Sequence, residues 1–242
     1  MREFESGLLY DPLREHSSCG VGFITRKDSV QSHDVLKKAH QALCAVPHRG
    51  GMSSEGVGDG AGISVDLSVS FFSKLVGRSL RQGRFGVGNF FLPEDADQQA
   101  KAIDLIEAHF ERVEMPILLR RPVPVNDGAI EPRGLSLQLP IMQWVFSAPK
   151  GMRAATFDKA THALLLAIEA EAYPDTEMEG LYPLSLSAHV QVLKGRLSSW
   201  EIIPYFEDLS DPDHAVHTVY FHTRFSTNTA PHPSMAQPFR LM

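Results

Sequence analysis

Two cysteines, Cys19 and Cys44, are the residues of this chain best suited to covalent chemistry, because a thiolate is a strong nucleophile at near-neutral pH. Cys19 lies in "HSSCGVGFIT", with small and polar residues before it and Gly-Val-Gly-Phe-Ile after it. In a strand from Gly20 to Thr25, Gly20 and Gly22 share one face and leave room for a close approach to the backbone. This setting admits two readings, a nucleophile or a buried thiol, and free cysteine is among the most buried residue types. Cys44 sits on the apolar face of a helical pattern and reads as a plain buried thiol without an activating neighbour.

Two other patterns compete for a functional role. Of eleven histidines, His214, His217 and His222 fall within nine residues. On a strand His217 shares a face with Val219 and Phe221, and His222 shares the other with Tyr220 and Arg224, so they do not converge. No Cys-x-x-Cys or His-Glu-x-x-His pattern accompanies them, and no metal site is expected. The segment "EGVGDGAGISV" contains Gly56-x-Gly58-x-x-Ala61, which satisfies a relaxed dinucleotide fingerprint. That fingerprint needs a strand before the glycines and a helix after them. Here the preceding residues are polar and the following ones read as a strand, so the expectation is a tight, backbone-exposing turn.

The elements that must position these residues follow from periodicity. Helical patterns run through "SHDVLKKAHQALCAV", with Val35, Leu36, Ala39, Ala42, Leu43 and Val46 on one face, and through "EDADQQAKAIDLIEAHFERV", with Ile103, Ile106, Phe110 and Val113. A third helix is expected over "ATFDKATHALLLAIEAEA". Strands are expected at Gly20 to Thr25, Ala61 to Val69, Phe85 to Leu92, Leu137 to Phe146, Leu184 to Leu193 and Val216 to Phe225. Several follow one another without a helix between, which favours an α+β layered architecture over alternating βαβ units.

Composition sets the outer bounds. The chain has 242 residues, 43% hydrophobic and 21% charged, as in ordinary globular proteins. A net charge of −6 gives no reason to expect nucleic acid or anionic lipid as a partner. No apolar run approaches the roughly 20 residues that span a bilayer. Residues 1 to 18 contain Glu3, Glu5, Asp11 and Glu15 and lack an apolar signal core. Two cysteines fit a reducing compartment, and the expected setting is cytoplasmic.

Four motifs in order, "CGVGFI", "HRGG", "EGVGDGAGI" and "FHTRFSTNTAPHPSMAQPFR", resemble the glutaminase domain of glutamate synthase large subunits. The weaker segments "RPVPV" and "LSLSAHVQVLKG" extend the resemblance from Cys19 to the end of the chain. The family is the class II glutamine amidotransferases, which belong to the N-terminal nucleophile hydrolases. The resemblance implies a four-layer αββα sandwich with two antiparallel sheets between helices.

The resemblance also implies roles. Residues 1 to 18 become a propeptide, and residues 19 to 242 the amidotransferase domain. Once Cys19 is the first residue, its α-amine, with a reference pKa of ~7.7–8.0, can relay the thiol proton. Arg224 corresponds to the arginine that holds the glutamine α-carboxylate, a task suited to a planar bidentate donor. Thr227 corresponds to a substrate contact with Asn228 beside it, and Arg49 to an arginine supporting the nucleophile's surroundings. Gly51 stands where the family usually carries alanine, a change expected to be harmless. The family's His-Asn-Gly-Glu-Ile segment, which supplies the oxyanion hole, has no counterpart before Met242, so the domain is expected to be incomplete at its C-terminal end. FMN and an iron–sulfur cluster are expected in downstream synthase regions and not in this segment. The expected partners are L-glutamine and the remaining glutamate synthase domains or subunits. Two functional readings result: hydrolysis of glutamine to glutamate and ammonia through a Cys19 thioester, the ammonia passing on to glutamate synthesis, or an incompetent fragment that serves as a docking module. A different N-terminal nucleophile amidohydrolase is disfavoured by "RFSTNT".

Overall fold

The computed structural model describes residues 19–226 and 229–239. Among them, eight strands form two four-stranded sheets in which every pair is antiparallel. The first sheet runs β1 (Gly20–Thr25), β8 (Thr218–Thr223), β2 (Ala61–Asp66) and β7 (Val190–Gly195). The second runs β4 (Ile117–Pro122), β5 (Ile141–Ser147), β3 (Phe85–Phe91) and β6 (Tyr182–Ser187). Four helices of eight residues or more accompany them: α1 (Asp34–Ala45), α2 (Val69–Val76), α3 (Ala96–Arg112) and α4 (Ala154–Ala172). No described helix is long and apolar enough to cross a membrane.

Burial arranges these elements in layers, as the α+β sandwich expectation required. Helix α1 turns Val35, Leu36, Ala39 and Leu43 inward onto Ile63, Val219 and Phe221 of the first sheet. Helices α3 and α4 cover the outer face of the second sheet at Phe90, Trp144, Phe146 and Leu186. Between the sheets, Asn89 donates to the Val192 carbonyl at 3.0 Å and Gln143 donates to Gln191 at 3.3 Å. Such bonds satisfy polar groups that would be costly to bury unpaired.

The differences from the sequence reading have local causes. The strand expected over Ala61 to Val69 ends at Asp66, because Ser68 accepts from the Phe71 N–H and caps α2. Gly77, at φ 72°, closes that helix in the left-handed region. The run Leu184 to Leu193 is not one strand but β6 and β7, which belong to different sheets. Ser187 turns the chain by accepting from the His189 and Val190 N–H groups, a turn with no glycine or proline to announce it. The strand expected from Leu137 begins only at Ile141, and β4 was not foreseen.

Candidate active site

The four motifs meet at one end of the first sheet. There the ladder pairs Gly20 with Thr223 and Thr223 with Ala61, so the starts of β1 and β2 flank the end of β8. Cys19 directly precedes β1 and Arg224 directly follows β8. Cys19 is exposed, and the Phe225 N–H donates to its sulfur at 3.4 Å. Gly20 does leave room for a close approach, and this chain's own side chains fill it: a Cβ there would lie 2.7 Å from Thr223 Cγ2 and 2.8 Å from Arg49 Cβ. The stem of Arg49 therefore packs directly over the residue that follows Cys19.

The glycine-rich loop locks onto the end of β8. Gly51 donates its N–H to the Arg224 carbonyl at 2.9 Å, Asp59 donates to the Gly51 carbonyl at 2.9 Å, and Arg224 donates to the Gly60 carbonyl at 2.8 Å. The Ser226 N–H donates to Asp59 Oδ2 at 2.7 Å. Gly56, at φ 80°, supplies the turn before β2, as expected. The turn is packed and not backbone-exposing, for a Cβ on Gly58 would stand 2.4 Å from the Leu197 backbone. Gly51 faces the Asp59 side chain of the same loop. A Cβ at that position would lie 1.9 Å from Asp59 Oδ2, so the carboxylate occupies the space a methyl group would need.

Arg224 is half-buried and only partly engaged. Its Nη2 donates to Thr229 Oγ1, while Nη1 is buried without a partner among the described residues. That arm of the planar fork is a donor the described residues leave unsatisfied. Its strand neighbour His222 is buried, and its Nδ1 also lacks a partner there. Burial, reinforced by the Arg224 charge, lowers the His222 pKa to about 4. His222 is thus neutral at physiological pH and adds no positive charge beside the guanidinium.

The remaining expectations divide clearly. Thr227 and Asn228 lie outside the described residues, as do residues 1–18. Cys44 is exposed and not buried: α1 turns Leu43 inward and leaves Cys44 beside His40, with Sγ 3.7 Å from Nε2. The three clustered histidines occupy separate surroundings. His214 is buried against the Asp208 carbonyl, and His217 bonds to Thr218 beside Asp66, while His222 lies next to Arg224.

Sequence reasoning missed Asp59, Ser226 and Lys194. Lys194 is buried, donates to the Ser234 and Ala236 carbonyls at 2.9 and 2.8 Å, and lies over the Tyr182 and Phe239 rings. It ties residues 234–239 to β7, and on the paired strand β2 a Cβ on Gly62 would meet the Gln237 carbonyl at 2.4 Å. The only signal for Asp59 was its place inside the "GVGDGAG" motif, and nothing local marked Lys194.

Comparison with known proteins identifies the family. Residues 19–242 match the sequence profile of the family described as Glutamine amidotransferases class-II. The chain is 32% identical over 238 residues to the glutamate synthase [NADPH] large chain of Azospirillum brasilense, covering 96% of this chain and 16% of that protein. It is 32% identical over 240 residues to the corresponding chain of Bacillus subtilis, covering 97% and 16%. To the ferredoxin-dependent glutamate synthase 1 of Arabidopsis thaliana it is 31% identical over 239 residues, covering 97% and 15%. The chain thus spans about a sixth of the length of these relatives.

Proposed function

Because this chain belongs to the class II glutamine amidotransferases, as the domain found in glutamate synthases, we propose that Cys19 is the nucleophile that cleaves the side-chain amide of L-glutamine. The observation that carries this reading is the meeting at one sheet end of an exposed thiol, a backbone donor and a guanidinium whose Nη1 has no partner among the described residues.

In the proposed sequence, residues 1–18 are removed and the freed Cys19 α-amine takes the thiol proton. The sulfur attacks the amide carbon, giving a tetrahedral oxyanion. Collapse breaks the C–N bond, the relayed proton goes to the leaving nitrogen, and ammonia departs. A γ-glutamyl thioester remains on Cys19. Water then adds to the thioester, gives one proton back to the thiolate, and releases glutamate. Arg224 binds the α-carboxylate, Thr227 and Asn228 line the same substrate, and Arg49 supports the nucleophile by packing on Gly20. The ammonia goes to glutamate synthesis elsewhere in the longer protein. The chain's two cysteines cannot supply the four thiolates an iron–sulfur cluster usually takes. The cluster is accordingly assigned to a region outside this chain, and the family resemblance assigns FMN there as well.

The test is carried out on the full-length protein. Active material should have an intact mass starting at Cys19 and release ammonia from L-glutamine, and Cys19→Ser should abolish that release. Release by protein that retains residues 1–18 would remove the α-amine from the mechanism. Complete processing without any release would instead favour a docking role.

A further inference from the structure

We propose that Asp59 is a positioning residue: its carboxylate, seated in the space left by Gly51, grips the Ser226 N–H and so keeps the Phe225 N–H on the Cys19 sulfur. This deepens the reading of Cys19 as the nucleophile and rests on it for its relevance to glutamine.

Three bonds from the 51–60 loop fix the end of β8. Two are backbone bonds and both act on Arg224, whose carbonyl accepts from Gly51 and whose N–H donates to Gly60. Beyond Arg224 the chain has left the ladder, and the Asp59 carboxylate is what holds the Ser226 amide. The Phe225 amide lies between these two anchors, and that is the group directed at Cys19. Asp59 is only 8% exposed. A carboxylate this buried is held by the bonds it accepts, and a charge-assisted bond is roughly twice as strong as a neutral one. Gly51 completes the device, since any side chain there would displace Oδ2.

The mechanism has a signature that simple loop stabilisation lacks. A hydrogen bond donated to a thiolate lowers the thiol pKa, so losing the Phe225 N–H raises it. Losing the negative charge of Asp59 acts in the opposite direction. Asp59→Asn removes the charge but retains an acceptor for Ser226, whereas Asp59→Ala removes both.

The experiment measures iodoacetamide alkylation of Cys19 against pH in the full-length protein carrying Cys44→Ser, with Cys19 quantified by peptide mass spectrometry. The expected midpoint in Asp59→Ala lies above that in Asp59→Asn by about half a pH unit or more. Gly51→Ala should raise the midpoint over the Asp59 parent in the same way, and it decides the matter if Asp59→Ala does not fold. Equal midpoints in Asp59→Ala and Asp59→Asn, or a Gly51→Ala midpoint equal to the parent's, would overturn the proposal. Because iodoacetamide needs no glutamine site, this result stands apart from the functional reading. That reading fails separately if a diazo-ketone analogue of L-glutamine labels Cys19 no faster than its D-enantiomer does.

Discussion

The Phe225 N–H and the Cys19 sulfur lie 3.4 Å apart although 206 positions separate them in the chain. The β1–β8 ladder brings them together, because its antiparallel register puts the start of one strand beside the end of the other. The same register sets Arg224 next to the thiol. The proposed nucleophile and the cation proposed to anchor its substrate thereby share one rigid support, which is what oriented reaction requires.

The two cysteines should differ in substrate-directed reactivity and agree in simple accessibility. Both are exposed, and Cys44 has His40 beside it, so iodoacetamide should modify both. A diazo-ketone analogue of L-glutamine should label Cys19 alone, since Arg224 lies at that thiol's end of the sheet. Peptide mass mapping after each reagent makes the comparison. Equal labelling of the two by the analogue would show that exposure, and not a glutamine site, governs reactivity.

Arg224→Lys should damage binding more than chemistry. Lysine keeps the charge but offers no planar fork, and hydrogen bonds to charged groups contribute about 1.5–3 kcal/mol. The expected outcome is a KM for glutamine raised by roughly 10- to 100-fold with kcat changed much less. Steady-state ammonia release by the full-length enzyme measures both. A fall in kcat with KM unchanged would place Arg224 with the reacting amide and not the α-carboxylate.

Much of the layout was legible because it is periodic. The faces of α1 and α3 follow from apolar spacing at Val35, Leu36, Ala39 and Leu43 and at Ile106 and Phe110. β1 has the bounds that its alternation indicates. What stayed hidden depends on groups with no local period. Ser68 begins a helix inside an apparent strand, and Ser187 turns a hairpin that joins two sheets. The site behaved alike. Cys19 was a candidate by residue type and Arg224 only through the family resemblance, whereas the Asp59 carboxylate meets Gly51 and Ser226, which are distant from each other in sequence. Cys44 was misjudged by a single residue step: a helix advances 100° per residue, which is enough to bury Leu43 and expose its neighbour.

Gly22 should tolerate no side chain without repacking. A Cβ there would lie 2.4 Å from Phe221 Cζ, and Phe221 is buried in the cluster that includes α1. Gly22→Ala should therefore cost about 1–3 kcal/mol, the usual range for overpacking. Thermal denaturation would register this as a loss of roughly 2–4 °C per kcal/mol in a domain of this size. Phe221→Leu in the same chain should recover part of the loss, giving a favourable coupling between the two sites. Additive losses would mean that the ring is not what resists the methyl group.

The last prediction concerns acid. Burial lowers the pKa of both His214 and His222 from 6.5 to about 4, with the Arg224 charge adding to the effect at His222. Between those values the unfolded chain binds protons that the folded chain does not, so stability must fall as pH drops from about 6.5 to about 4. A difference of this size corresponds to roughly 3 kcal/mol for each histidine when the whole window is crossed. Asp208 and Glu201 act in the opposite sense, because burial raises their pKa values and favours protons on the folded state. The carboxylates whose values are lowered by ion pairs or hydrogen bonds, such as Asp28 and Asp211, contribute at lower pH. The histidines should therefore dominate the upper part of the window. Urea unfolding at intervals from pH 7.5 to 5 should show a steady decline, and His222→Asn and His214→Asn should each flatten it. His222→Asn has a second readout, since that histidine is already neutral at pH 7. Glutamine KM should then be nearly unchanged at pH 7.5 while the acid slope of stability shrinks. A slope identical to that of the parent protein would mean that His222 takes up protons equally in the folded and unfolded chain, so that burial beside Arg224 does not lower its pKa.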